Sequence, residues 1–154
     1  MTFNRLLKQL LNIKGATVDN FDFGTNAHGE ASLAVHVHLT KGHQRRCPIC
    51  GRKCTVYDQS GEESFWRSMD FGPVAVRIGA VVPRISCPEH GVLTAGVPWA
   101  KHLSRFTLDV AYSAAWMVKG GLNKSRVSEY LRIDWDTVGR LVDLVWKDLE
   151  PDVK

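Results

Sequence analysis

No stretch of this sequence stays apolar for the roughly 20 residues that a bilayer-spanning helix needs. The opening segment, MTFNRLLKQLLNIKG, comes nearest, but Arg5, Lys8 and Gln9 interrupt Leu6, Leu7, Leu10 and Leu11. A secretory signal requires an unbroken apolar run, so the pattern predicts an amphipathic helix laid on a core, in a cytoplasmic protein with no membrane partner. Also missing are a glycine loop of the kind that cradles phosphate, a nucleophile–base constellation and any internal repeat. Nothing therefore points to a small-molecule substrate. Acids are missing from one local run, TKGHQRRCPICGRKC, which carries Lys41, Arg45, Arg46, Arg52 and Lys53; they collect instead at Glu62, Glu63 and the C-terminal DLEPD. The run is either a solvated face or part of a polyanion-binding surface, and the net charge of +4 with pI near 9.0 favours the second only mildly.

Disorder is excluded by what is present. The 154 residues are 44% hydrophobic and hold five Trp and six Phe, enough for one folded domain or two small ones sharing an interface. Four cysteines without an export signal point away from disulfides and toward metal. Cys47-Pro48-Ile49-Cys50-Gly51 is a knuckle whose two-residue gap lets both sulfurs face one point, and Cys87-Pro88-Glu89-His90-Gly91 repeats it with an imidazole last. Cys47, Cys50, Cys87 and His90 would close a tetrahedral shell around one structural Zn²⁺, leaving no open position for catalysis. Cys54 and His43 lie close enough in sequence to replace one of the four, and Cys47 with Cys50 could instead form a redox pair. The plain reading of Cys54 is a buried free thiol.

Between the knuckles VAVRIGAVV reads as a strand, with KCTVYD as its partner and turns at DQSG and DFGP, so the segment is expected to form a zinc-ribbon-like sheet. Upstream, two alternating runs flank a Gly/Asn-rich turn and predict a hairpin. Its second strand sets Leu33, Val35, Val37 and Leu39 on one face, and His36 and His38 toward solvent on the other. After GVPWAKHL the period becomes helical: Ser104 can cap a helix carrying Phe106, Val110, Ala114, Met117 and Val118, which Gly120-Gly121 ends. A short helix follows near Asn123. In KSRVSEYLRIDWDTVGRLV, Val127, Ser128, Leu131, Ile133, Val138 and Leu141 fall where a helix-turn-helix buries side chains. Small Ser128 permits close approach, Asp134 caps the second helix, and Arg132 occupies the usual glycine of the turn. The fold expected is α+β: residues 1–98 as helix, hairpin and zinc-ribbon-like domain, residues 99–150 as a helix-turn-helix domain.

If the unit reads double-stranded DNA, the helix from Trp135 to about Leu149 enters the major groove by its first turns. Arg140 and Thr137 then face base edges, while Lys124, Ser125 and Arg126 suit phosphates. Asp136 and Asp143 oppose phosphate, and Trp135 and Trp146 read as core anchors. A helical packing unit without nucleic acid is the plain alternative.

The order CPICG, RISCPEHG, VPWAKHLSRFT and LRIDWDTVGRLV resembles the N-terminal region of bacterial insertion-sequence transposases of the ISL-three family, over roughly residues 40 to 149. The resemblance implies a zinc-stabilised module that recognises terminal inverted repeats ahead of a catalytic domain using three acids and divalent metal. It places Cys47, Cys50, Cys87 and His90 as zinc ligands, the last where many relatives have cysteine. Two-metal cleavage needs converging carboxylates on several more strands and helices, and few residues follow Lys147, so this chain is not expected to cut DNA. Its partners would be DNA and either a second copy or a full-length transposase. An assembly fragment of the transposase and a free-standing zinc-binding transcription regulator are the other readings.

Overall fold

A computed structural model describes residues 1–59 and 61–149 and gives an α+β protein with two sheets and a three-helix unit. Residues 150–154, including the last acids of DLEPD, and Ser60 of the DQSG turn lie outside the described residues. Helix α1 (Phe3–Leu10) starts at Thr2, whose side chain accepts from the amide of Arg5. Leu7 and Leu11, four residues apart, pack on the first sheet, while Leu6 and Leu10 stay exposed because one residue of helical rotation carries them past its edge.

Strands β1 (Ala16–Thr25) and β2 (Ala31–Leu39) form the expected antiparallel hairpin. A bulge at Asp19 shifts the register, so that Val18 opposes Val37 and Phe21 opposes Val35, keeping apolar residues on one face despite the broken alternation. The strand β5 (Ala75–Val81) does not pair with the KCTVYD segment. It lies parallel to β2 and antiparallel to β4 (Glu63–Arg67), completing a four-stranded sheet in the order β1-β2-β5-β4. The KCTVYD segment supplies β3 (Thr55–Asp58), which pairs with β6 (Arg84–Cys87), itself paired with β7 (Gly91–Thr94). The reason is burial: Val76, Ile78 and Ala80 need an apolar face, and the hairpin with α1 offers a larger one than the small ribbon.

The polar face of the first sheet differs from expectation at one histidine. His38 is exposed and bonds Asp19 at 2.6 Å, but His36 is mostly buried between Asp22 at 2.7 Å and Glu63 at 2.7 Å, one carboxylate on each ring nitrogen. Glu63 sits on β4 and reaches His36 across β5, over Gly79. A Cβ at Gly79 would meet the ring of Phe65 at 2.7 Å and the Glu63 carboxyl at 2.9 Å, so only glycine leaves that passage open.

The helical unit holds α2 (Leu108–Lys119), α3 (Lys124–Leu131) and α4 (Trp135–Leu149). Its core is Val110, Ala111, Ala114, Val127, Leu131, Ile133, Val138, Leu141 and Val145 among others, which includes the apolar helix-turn-helix positions expected to be inside; Ser128 is only half-buried and donates its hydroxyl to the Ile133 carbonyl at 2.6 Å. Thr107, not Ser104, is the N-cap of α2; residues 105–107 are drawn into an extended pairing with Arg67, whose amide donates to the Arg105 carbonyl at 2.8 Å. Phe106 consequently precedes the helix, and Ser104 turns its hydroxyl to the backbone of Phe106. Asn123 caps α3 by accepting from the Arg126 amide, and Gly120 ends α2.

The paired carboxylates favour the imidazolium form of His36: the hydrogen bond to Glu63 outweighs burial, the Asp22 bond adds to it, and the pKa rises above 6.5. A raised folded-state pKa means that the stabilisation is full below about pH 6.5, the unfolded value, and is lost as pH climbs through the folded value. Thermal unfolding of wild type and His36→Gln should therefore differ most in mild acid and converge in alkali; a difference independent of pH would contradict the clamp.

Candidate metal centre and DNA-binding face

The two knuckles meet at one point. Sγ of Cys47, Cys50 and Cys87 and a ring nitrogen of His90 all lie within 4.8 Å of one another. Cys50 Sγ is 3.7 Å from Cys87 Sγ, and His90 Nδ1 is 3.6 Å from Cys47 Sγ and 3.5 Å from Cys87 Sγ. Metal–ligand bonds of about 2.3 Å to sulfur and about 2.0 Å to nitrogen give tetrahedral edges of about 3.8 and about 3.5 Å, so the donors fit zinc in both chemistry and spacing. The local chain produces this directly. Gly51 at φ +74° and Gly91 at φ +77° turn each knuckle so that its amides approach sulfur.

Those amides tune the thiols. Burial of Cys87 opposes its thiolate, but the amides of Glu89 and His90 and the His90 ring more than offset it, bringing the pKa down to about 6. Burial likewise opposes the Cys47 thiolate, and the amides of Cys50 and Ile49 pull its pKa below the ordinary value. Cys54 stands outside the group: burial raises its pKa, and its Sγ bonds the Arg52 carbonyl at 3.2 Å. His43 is elsewhere too, with its ring against Gly15 and its Nδ1 3.0 Å from the Thr40 hydroxyl. Much of the basic run is spent on the knuckle itself. Arg46 donates to the carbonyls of Gly42 and Gly51, Arg52 pairs with Glu89 at 3.2 Å, and Lys53 donates to the Lys41 carbonyl.

On the helical unit the candidate DNA-binding residues separate. Arg140 is exposed near the start of α4, with Nη2 3.2 Å from Thr137 Oγ1. Thr137 itself is only 8% exposed, which corrects its expected place at base edges: packing against the core leaves it to steady Arg140. Trp135 is corrected as well. It is 51% exposed, and Lys124 holds its ammonium 5.2 Å from the ring centroid, in space that Gly139 leaves open. Trp146 does pack on the helical core. Ser125 is exposed beside Lys124, whereas Arg126 turns to Glu129 at 3.4 Å on the other side of α3.

Three residues, of which the sequence marked only Arg132, fix this unit to the first sheet. Arg132 takes the left-handed turn position at φ +56°. Arg67, at the end of β4, donates to the carbonyls of Arg132 at 2.6 Å and Leu131 at 3.0 Å, which are the last acceptors of α3. Asp70 receives Arg132 at 2.8 Å and lies 3.4 Å from Arg67. The only sequence signal was the arginine in the turn's glycine place.

Comparison with known proteins follows the same two blocks. Residues 43–90 match the zinc-finger of transposase IS204/IS1001/IS1096/IS1165, and residues 97–146 match the helix-turn-helix domain of transposase family ISL3. The chain carries the zinc-finger and helix-turn-helix domains of ISL3-family transposases. It is 36% identical over 148 residues to the transposase for insertion sequence element IS1557 of Mycobacterium tuberculosis, in strain CDC 1551 / Oshkosh and in strain ATCC 25618 / H37Rv alike. That alignment covers 95% of the chain and 33% of the relative, so the chain spans about a third of the length of the curated relatives it matches. No solved structure matches. The ISL3-type finger thus holds the Cys/His cluster, and the ISL3-type helix-turn-helix holds α2 to α4.

Cys87→Ser should abolish metal binding and leave the protein largely unfolded or aggregated, because structural zinc contributes folding free energy directly. Metal analysis and melting would show it; native values for both would mean the ligand set is wrong. Asp70→Ala should keep full metal content yet cost about 1–2 kcal/mol in denaturant titrations, the loss of charged hydrogen bonds to half-exposed arginines.

Proposed function

We propose that this chain is the DNA-recognition part of an insertion-sequence transposase, that it binds the terminal inverted repeats of its element, and that it is held by one structural zinc ion. The observation that carries this reading is Arg140: an exposed guanidinium in the first turns of α4, steadied by buried Thr137, while the opposite face of the same helix closes the core. A fork of that kind suits guanine O6 and N7. Lys124 and Ser125, at the positive end of α3, suit the flanking phosphates. Asp136 and Asp143 are exposed on the same face of α4, four residues before and three after Arg140, so they flank the guanidinium and oppose phosphate on either side of it.

We place the chemistry of strand cleavage outside the finger and the helix-turn-helix. Among the described residues the one convergent set of metal donors is the Cys/His cluster, and its four donors leave zinc no water-bearing position. In the cytoplasm the module would present DNA to the catalytic part of a transposase, its own or another copy's. No helix among the described residues is long and apolar enough to cross a membrane.

Fluorescence anisotropy with labelled inverted-repeat DNA tests the reading. Affinity should exceed that for scrambled duplex and fall steeply with salt, as phosphate neutralisation requires. Arg140→Ala should cost about 1–3 kcal/mol on the cognate repeat and relax discrimination at one base pair. Binding indifferent to salt and sequence would favour an assembly role for the fragment, and specific binding to an unrelated promoter with none to the repeats would favour a transcription regulator.

A further inference from the structure

A second surface lies on the helical unit, away from Arg140. Trp116 on α2 and Tyr130 on α3 are each 71% exposed, and Leu122, in the turn between these helices, is 46% exposed. With Met117 they line an open groove of about 510 Å³ whose rim carries Arg126 and Glu129. Two neighbouring aromatics left in water are costly for a monomer and are the residue types that dominate protein interfaces.

We propose that this groove is a twofold interface between two copies of the chain. The rim identifies the occupant. Arg126, Glu129 and Tyr130 share one face of α3, and the Arg126 and Glu129 side chains are both 72% exposed, 3.4 Å apart. A partner rich in one charge would meet a like charge at one of these positions. A second copy, with its α3 crossing antiparallel, brings the two Arg126–Glu129 pairs together with opposite charges facing, so that they join in one four-charge cluster. Such a face is self-complementary in the sense that a twofold requires, with each Trp116 acting as the ridge that enters the opposing groove. DNA is a poor occupant, because the patch is apolar and its lone cation already has an acid beside it. The interface leaves Arg140 and Lys124 outside, so a dimer can present two reading helices at once.

Sedimentation velocity of the zinc-loaded 154-residue protein without DNA, from micromolar to hundreds of micromolar, tests this independently of the DNA-binding reading. Wild type should shift from monomer to dimer with concentration. Trp116→Glu and Tyr130→Glu, each on a different helix, should each weaken association by about tenfold or more with unchanged helical circular dichroism. Arg126→Glu and Glu129→Arg should each weaken it, and the double reversal should restore it. A chain that stays monomeric throughout, or dimerises undiminished as Trp116→Glu, overturns the proposal, as does a double reversal no better than the singles. Failure to bind inverted repeats by a protein that still dimerises would strike only the recognition reading.

Discussion

Four side-chain donors, two from each knuckle, are the constraint on which the rest of this structure depends. They join residue 47 to residue 90, and the chain between them does more than form a ribbon. It leaves through β3, makes the β4–β5 hairpin inside another sheet, and returns through β6. Closing the clasp therefore positions β5 beside β2 as well as β6 beside β3. Arg67 stands at the end of β4, so the same closure also places the guanidinium that holds the helix-turn-helix turn. Metal site, sheet and α4 form one mechanical series rather than independent modules.

That series explains why Arg132 works where a glycine is usual. A left-handed residue with a side chain is strained in isolation. Here its carbonyl accepts from Arg67 and its own guanidinium bonds Asp70, so the strained turn is held from both ends. The orientation of α4 relative to the sheet then rests on a few charged hydrogen bonds and on the pairing of Arg67 with residues 105–107.

The knuckles, the hairpin and the buried positions of the helix-turn-helix were legible because each depends on local spacing: two residues between ligands, period two in a strand, fixed offsets in a helix pair. What the sequence hid depends on partners far along the chain. VAVRIGAVV carries no sign in its own residues of which strand will flank it, and the choice falls to β2, nine residues long with Leu33, Val35 and Val37 buried, over the four exposed residues of β3. Ser104 is as good a cap as Thr107 until the bridge to Arg67 pulls residues 105–107 straight. His36 looks like any outward histidine because Asp22 and Glu63 arrive from strands 14 and 27 positions away. Thr137 sits one residue from the core position Val138, and one residue of helical rotation separates an outward side chain from a buried one.

The parallel pairing of β2 with β5 joins segments that are about 40 residues apart and cannot form through a tight turn. Contacts of such sequence separation are slow to find, because loop entropy must be lost before any pairing energy returns. Zinc held by the thiolates before the sheet closes would shorten that search by tethering the loop's ends. Nascent chains deprived of zinc would expose Val76, Ile78 and Ala80 as an unpaired strand, a state prone to self-association, so metal supply in the cell would govern the yield of soluble protein as well as its final stability.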